Sequence, residues 1–150
     1  MSKNILFHQL EIVLADTYVV LMQTQNVHWN FTGNTFYGMH QMTESQYVDM
    51  VEAIDLLAER IRAIGHTAPS GLPAYSNLTT IEAHDVTMLN TKATCQHLID
   101  CNQKLCKSLK LAIQSAITEK DPATEDMIIE RLQAHEKFIW MLTATISGTD

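Results

Sequence analysis

Five glycines and three prolines are all that punctuate this chain of 150 residues, and they cluster. Gly33 and Gly38 mark one break, Gly65, Pro69, Gly71 and Pro73 a second, Pro122 a third, and Gly148 lies near the end. The long spans between them hold neither residue, the pattern of a chain built from long helices.

The apolar residues agree. Over 4–31, Ile5, Leu6, Leu10, Val13, Leu14, Tyr18, Leu21 and Met22 recur at spacings of three and four, as one helix face does. Met39, Met42, Tyr47, Met50, Val51, Ile54, Leu57, Ala58 and Ile61 repeat the pattern over 36–64. Leu98, Leu105, Leu109, Ala112 and Ala116 define a third helix over 90–118. Asp121-Pro122 then supplies a cap followed by proline at the first helical position, opening a fourth helix over 122–146. Residues 65–78 read as a loop, and "TTIEAH" offers Thr79 and Glu82 as a capping box for a short helix after it. The expected fold is therefore all-α and a single domain over 1–150. It is a ferritin-like four-helix bundle with a short extra helix in the long crossover between helices 2 and 3.

Composition narrows the setting. A hydrophobic fraction of 46% is ordinary for a globular domain. The N-terminal apolar run is broken by His8, Gln9, Glu11 and Asp16, which argues against a signal peptide or a spanning helix. A cytoplasmic protein without a membrane partner is the expectation. Seventeen acidic against ten basic residues give a formal charge of −7, which repels nucleic acid and suits a protein that handles cations. Cys95, Cys101 and Cys106 match no zinc or CxxC spacing and read as structural cysteines on a helix.

A ferritin-like bundle with an internal two-metal site needs a Glu-x-x-His motif on each of two helices. This chain has none: Glu82 and His84 are two apart, Glu130 and His135 five. Helix two offers another set. His40 and Glu44 share a face, as do Asp55 and Glu59, fifteen residues further on. At 1.5 Å per residue the pairs stand ~22 Å apart, so one chain cannot bring them together. Two copies of helix two packed antiparallel about a twofold axis can, and would build two equal sites per dimer. His28 lies twelve residues before His40 across a turn, where a helical hairpin lets the two imidazoles face each other. Mixed nitrogen and oxygen donors of this kind suit ferrous iron, with zinc or manganese as competitors. The same residues also admit a plainer reading: one core and one solvated histidine, and carboxylates paired with Arg60 and Arg62 or facing water.

The blocks "HWNFTGNTFYGMH" (28–40), "DLLAER" (55–60) and "HEKFIWML" (135–142) resemble the DNA-binding proteins from starved cells, or Dps family, the small ferritin-like ferroxidases. The resemblance extends along nearly the whole chain. It implies a ferroxidase that oxidises ferrous iron with hydrogen peroxide or oxygen. It also implies storage of ferric mineral in a homo-oligomeric shell of twelve subunits, protecting the cell from oxidative stress. His28 and His40 would bind iron from one subunit, Asp55 and Glu59 from the other. Glu44 stands where the family commonly has aspartate, one methylene shorter. By the same analogy Trp29 is a nearby electron donor, with packing at an interface as the alternative. Trp140 reads as core or interface packing. Asp121, Asp126 and Glu130 would line an iron-entry pore at a threefold axis, although capping and the helix dipole also account for acids there.

The family name raises DNA binding, and the sequence argues against it. The tail before helix one carries only Lys3, the C-terminus ends in Asp150, and Lys104, Lys107 and Lys110 form the only basic stripe. Phosphate binding needs a larger positive footprint. Two rival readings stand beside it: a nucleoid protein that coats DNA, and a non-catalytic shell whose metal site is vestigial.

Overall fold

The computed structural model describes residues 4–84 and 90–148. The N-terminal tail with Lys3 and the terminal Asp150 lie outside them. Five helices follow one another: α1 (Ile5–Asn30), α2 (Phe36–Ala63), α3 (Leu72–Leu78), α4 (Thr91–Glu119) and α5 (Pro122–Ile146). The four long helices match the expected segments to within a residue or two.

Their ends are set locally. Asn4 caps α1 by accepting from the Phe7 amide at 3.0 Å, and Asn90 caps α4 by accepting from the Ala93 amide at 2.8 Å. Asp121 caps α5 through the Thr124 amide at 3.1 Å, with Pro122 in the first turn. Between α4 and α5, Lys120 adopts φ 57°, the left-handed conformation that closes a helix.

α1 is the central helix of the core. It packs on α2, α3 and α4, while α4 and α5 form the other hairpin. Leu10, Val13, Leu14, Ala15 and Val20 on α1 have no solvent exposure. They meet Met50, Leu57 and Ile61 of α2, Leu105, Leu109 and Ala112 of α4, and Ile128 of α5. A second cluster of Val27, Phe31, Met39, Cys95, Leu98, Ile99 and Leu142 fills the end of the bundle near the α1–α2 turn. α1 is apolar enough to cross a membrane by composition alone, with a mean hydropathy of 1.5, but that character serves the bundle core. Ile5, Met22 and Val51, read from spacing as core residues, are exposed; they sit on the flanks or backs of their helices.

The crossover departs from expectation in one place. The short helix is Leu72–Leu78, inside the segment read as loop, and residues 79–84 are not helical. Gly71 at φ 92° turns the chain into a helix whose first turn holds Pro73. Thr79 does not begin a capping box because a distant acceptor claims it. Asp16, fully buried on α1, accepts from Thr79 Oγ1 at 2.6 Å, the Thr80 amide at 2.7 Å, Thr80 Oγ1 at 2.8 Å and Ser108 Oγ at 2.6 Å. One carboxylate thus ties α1, the crossover and α4 together.

A polar thread also crosses the α4–α5 half. Asn102 Nδ2 donates to the Leu98 carbonyl at 2.8 Å, which leaves its oxygen to accept from His135 Nδ1 at 2.8 Å. His135 Nε2 then faces Arg131 at 3.4 Å, and Arg131 reaches Asp49 on α2 at 2.6 Å. Burial, with Arg131 beside it, pushes the His135 pKa down to about 3, so the ring is neutral.

Candidate metal centre

The α1–α2 hairpin brings His28 and His40 together. Their rings stack with centroids 3.8 Å apart and an interplanar angle of 14°. His28 Nδ1 donates to the His40 carbonyl at 2.9 Å, and His40 Nδ1 donates to the His28 carbonyl at 2.9 Å. A carbonyl oxygen only accepts, so each Nδ1 carries the proton. In the neutral tautomer this selects, Nε2 is the nitrogen left for a metal. Thr43 Oγ1 lies 3.4 Å from His28 Nδ1 and donates to the Met39 carbonyl. Tyr47 stands edge-on to His28, and Phe36 stacks on His40 from the other side. His28 is buried and His40 half-buried. The pair is held at the surface end of the bundle, not solvated at random.

The carboxylates are spread along α2, with Glu44 one turn after His40 and Asp55 and Glu59 toward the far end. Glu44, Asp55 and Glu59 are all exposed on α2. Arg60 and Arg62, the cations that could have neutralised them, are engaged elsewhere. Arg60 forms a bidentate contact with Asp121 at 2.7 and 2.9 Å and donates to Thr124 at 2.7 Å; Arg62 donates to the His66 carbonyl at 2.9 Å. Among the described residues no three His, Cys, Asp or Glu side chains of one chain gather into a metal site.

The outward face of α2 has an internal symmetry. At 100° per residue, Tyr37, His40, Glu44, Val48, Val51, Asp55 and Glu59 fall within roughly a 100° arc. That arc is turned away from the core face of Met39, Thr43, Gln46, Met50, Leu57 and Ile61. His40 and Glu59, Glu44 and Asp55, and Val48 and Val51 are each centred on one point between Asp49 and Met50. Tyr37, Val48 and Val51 on this arc are exposed, as is Trp29 beside the histidines at 66%.

Of the other residues singled out by sequence, Asp121 has a structural occupation. Burial alone raises its pKa, but hydrogen bonds from Thr124 and Arg60 outweigh that and hold the carboxyl below the ordinary range. Asp126 and Glu130 are exposed on α5. Trp140 is also exposed, at 65%, so it is no part of this chain's own core. Cys95, Cys101 and Cys106 are free and buried, and burial pushes all three thiols up to about 11.

Residues 7–150 match the ferritin-like domain model. The chain is 30% identical over 141 residues to the DNA protection during starvation protein of Helicobacter pylori, covering 94% of this chain and 98% of that one. This chain is a member of the Dps family of ferritin-like proteins. The crystal structure of a Dps protein from Bacillus brevis superposes with a TM-score of 0.90 at 28% identity, over 97% of this chain and 99% of that one. Antigen TpF1 of Treponema pallidum gives 0.90 at 27% identity, over 97% and 95%. A Vibrio cholerae Dps, described as belonging to a superfamily of ferritin-like diiron-carboxylate proteins, gives 0.88 at 28%, over 94% and 88%. Iron storage or protection is the role this Dps membership supports, and iron is the metal it implies.

Proposed function

We propose that this Dps chain is a ferroxidase whose active site is completed by two subunits. The observation that carries the reading is the reciprocal lock of His28 and His40, which ties up both Nδ1 atoms and leaves the two Nε2 atoms for a metal, on a chain whose Asp55 and Glu59 lie toward the far end of α2. Antiparallel packing of α2 on its twin, centred between Asp49 and Met50, sets Val48 against Val51 and His40 against Glu59 of a second copy. It also sets Glu44 against Asp55 of that copy. Two facing carboxylates repel unless a cation lies between them, so the pairing itself favours a metal.

Ferrous iron is the substrate. The imidazoles hold the ferrous ion, and the hard carboxylate oxygens favour the ferric product. Each of two ferrous ions gives one electron to one peroxide; its O–O bond breaks, two protons are taken up, and two waters leave. No odd electron is left to release hydroxyl radical. Zinc and manganese share the donor preferences and compete for the site. Trp29, exposed beside the histidines, is placed to give up an electron to stray oxidant. Asp126 and Glu130, with Asp121 at the helix start, are the residues for an iron-entry pore in a shell of twelve subunits. Hydrogen peroxide or oxygen is the oxidant, and the cytoplasm the place.

Subunit mixing tests this. A chain carrying His28→Ala and His40→Ala and a chain carrying Asp55→Ala and Glu59→Ala should each be inactive in ferrous oxidation. Coexpressed, they should regain activity, because a mixed dimer holds one site with both halves intact. Inactive parents whose mixed assembly, isolated by two affinity tags, stays inactive would sink the shared-site reading.

A further inference from the structure

The apolar core of the bundle is not continuous. On α1 one cluster ends at Leu21 and the next begins at Val27, and on α2 the break falls between Met42 and Tyr47. The buried residues at that level include Thr24 on α1, Thr43 and Gln46 on α2, and Asn102 on α4. His135 of α5 joins them through Asn102 at 2.8 Å. Helix register explains the common height. Cys95 Sγ and Met39 Sδ touch at 3.7 Å. Gln46 and Asn102 each lie seven residues further along those two parallel helices, about two turns on, so they stand level and point inward as Met39 and Cys95 do.

Gln46 is 1% exposed, yet neither its Nε2 nor its Oε1 has a hydrogen-bond partner among the described residues. Its neighbours at this level are engaged but keep acceptor capacity. Thr24 Oγ1 directs its hydrogen to the Val20 carbonyl at 2.7 Å, and its lone pairs remain. Asn102 Oδ1 accepts from His135 and has a second lone pair. Gln46 stands three residues before Asp49, on the side of α2 that looks toward α5, where Asp49 reaches Arg131. α2 packs closely on α1 and only sparsely on α5.

We propose that this layer binds ordered water, which takes a hydrogen from Gln46 Nε2 and gives its own to Asn102 Oδ1 and Thr24 Oγ1. A buried water takes roughly two to four polar partners, and the amide with these two acceptors supplies them. An unpaired amide in an apolar core is costly, and a bridging water removes that cost. None of the side chains in the layer is anionic, and burial keeps His135 neutral, so the layer selects water over a metal ion. The bridge ties the α1–α2 hairpin to the α4–α5 hairpin midway along the bundle. It includes none of His28, His40, Glu44, Asp55 or Glu59, so it stands or falls apart from the ferroxidase reading.

A high-resolution crystal structure of the assembled protein tests this, paired with thermal melts of wild type and Gln46→Met, a change that keeps the shape and removes the amide. The expected wild-type structure has a water within about 3.2 Å of Gln46 and of a second protein oxygen. The expected variant lacks that water and melts lower. An amide bonded directly to protein atoms, or one with no water beside it, overturns the proposal. A variant that melts as high as wild type or higher does the same, because relief of an unpaired amide raises stability. So does anomalous scattering from a metal ion at this position in crystals soaked with ferrous or zinc salts. If Gln46→Met fails to assemble, the wild-type structure alone decides, because it shows directly what the amide touches.

Discussion

At the scale of single residues, what matters is which proton each imidazole carries. At His28 and His40 the backbone carbonyls decide it. Removing one ligand should cost at least as much as removing an outer hydrogen-bond partner of a metal ligand, ~10–100-fold in affinity or activity. His28→Ala should therefore slow ferrous oxidation by that factor in a stopped-flow assay while the oligomer stays intact. At His135 the same logic bears on stability. Its folded pKa of about 3 lies well below the unfolded value near 6.5, so above pH 6.5 neither state binds the proton. As pH falls below 6.5 the unfolded chain gains a proton that the native one refuses, and stability drops by up to about 1.4 kcal/mol per unit until pH nears 3. Thermal melts of wild type and His135→Gln between pH 7 and 4 should converge as pH falls; parallel curves would refute this.

At the scale of elements, the long helices were readable because glycine and proline mark their ends and apolar residues repeat between them. The short helix was misplaced for a physical reason. Leu72–Leu78 is flanked by the same Gly71 and Pro73 that mark loops, and its clue was proline in a first turn. Thr79 and Glu82 resembled a capping box, but Asp16, far away in sequence, takes the Thr79 hydroxyl. Local pattern cannot register such a contact. Asp16→Ala leaves hydroxyl and amide donors unpaired at a buried junction and should cost about 2–4 kcal/mol in urea unfolding, with α3 losing amide-exchange protection first.

At the scale of the whole molecule, half of the candidate centre was legible and half waits on a neighbour. The hairpin explains why His28 and His40 meet. Glu44, Asp55 and Glu59 stand exposed on α2 while Arg60 is taken by Asp121, and on the proposed shared-site reading an antiparallel twin sets these acids toward the histidines. The net charge of −7 and a lysine stripe in the sequence of only Lys104, Lys107 and Lys110 set a further expectation. Plasmid DNA at physiological salt should show no mobility shift with this protein at neutral pH, and a shift would revive a coating role.

The mutual grip of His28 and His40 has a consequence for the life of the protein before it assembles. The grip is made within one hairpin, so a newly folded chain holds its imidazoles ready but none of the acids that must face them. On the shared-site reading, such a chain is chemically idle toward iron and peroxide. Oxidation begins only where two walls of a container already meet, so the ferric product first appears where there is an inside to receive it.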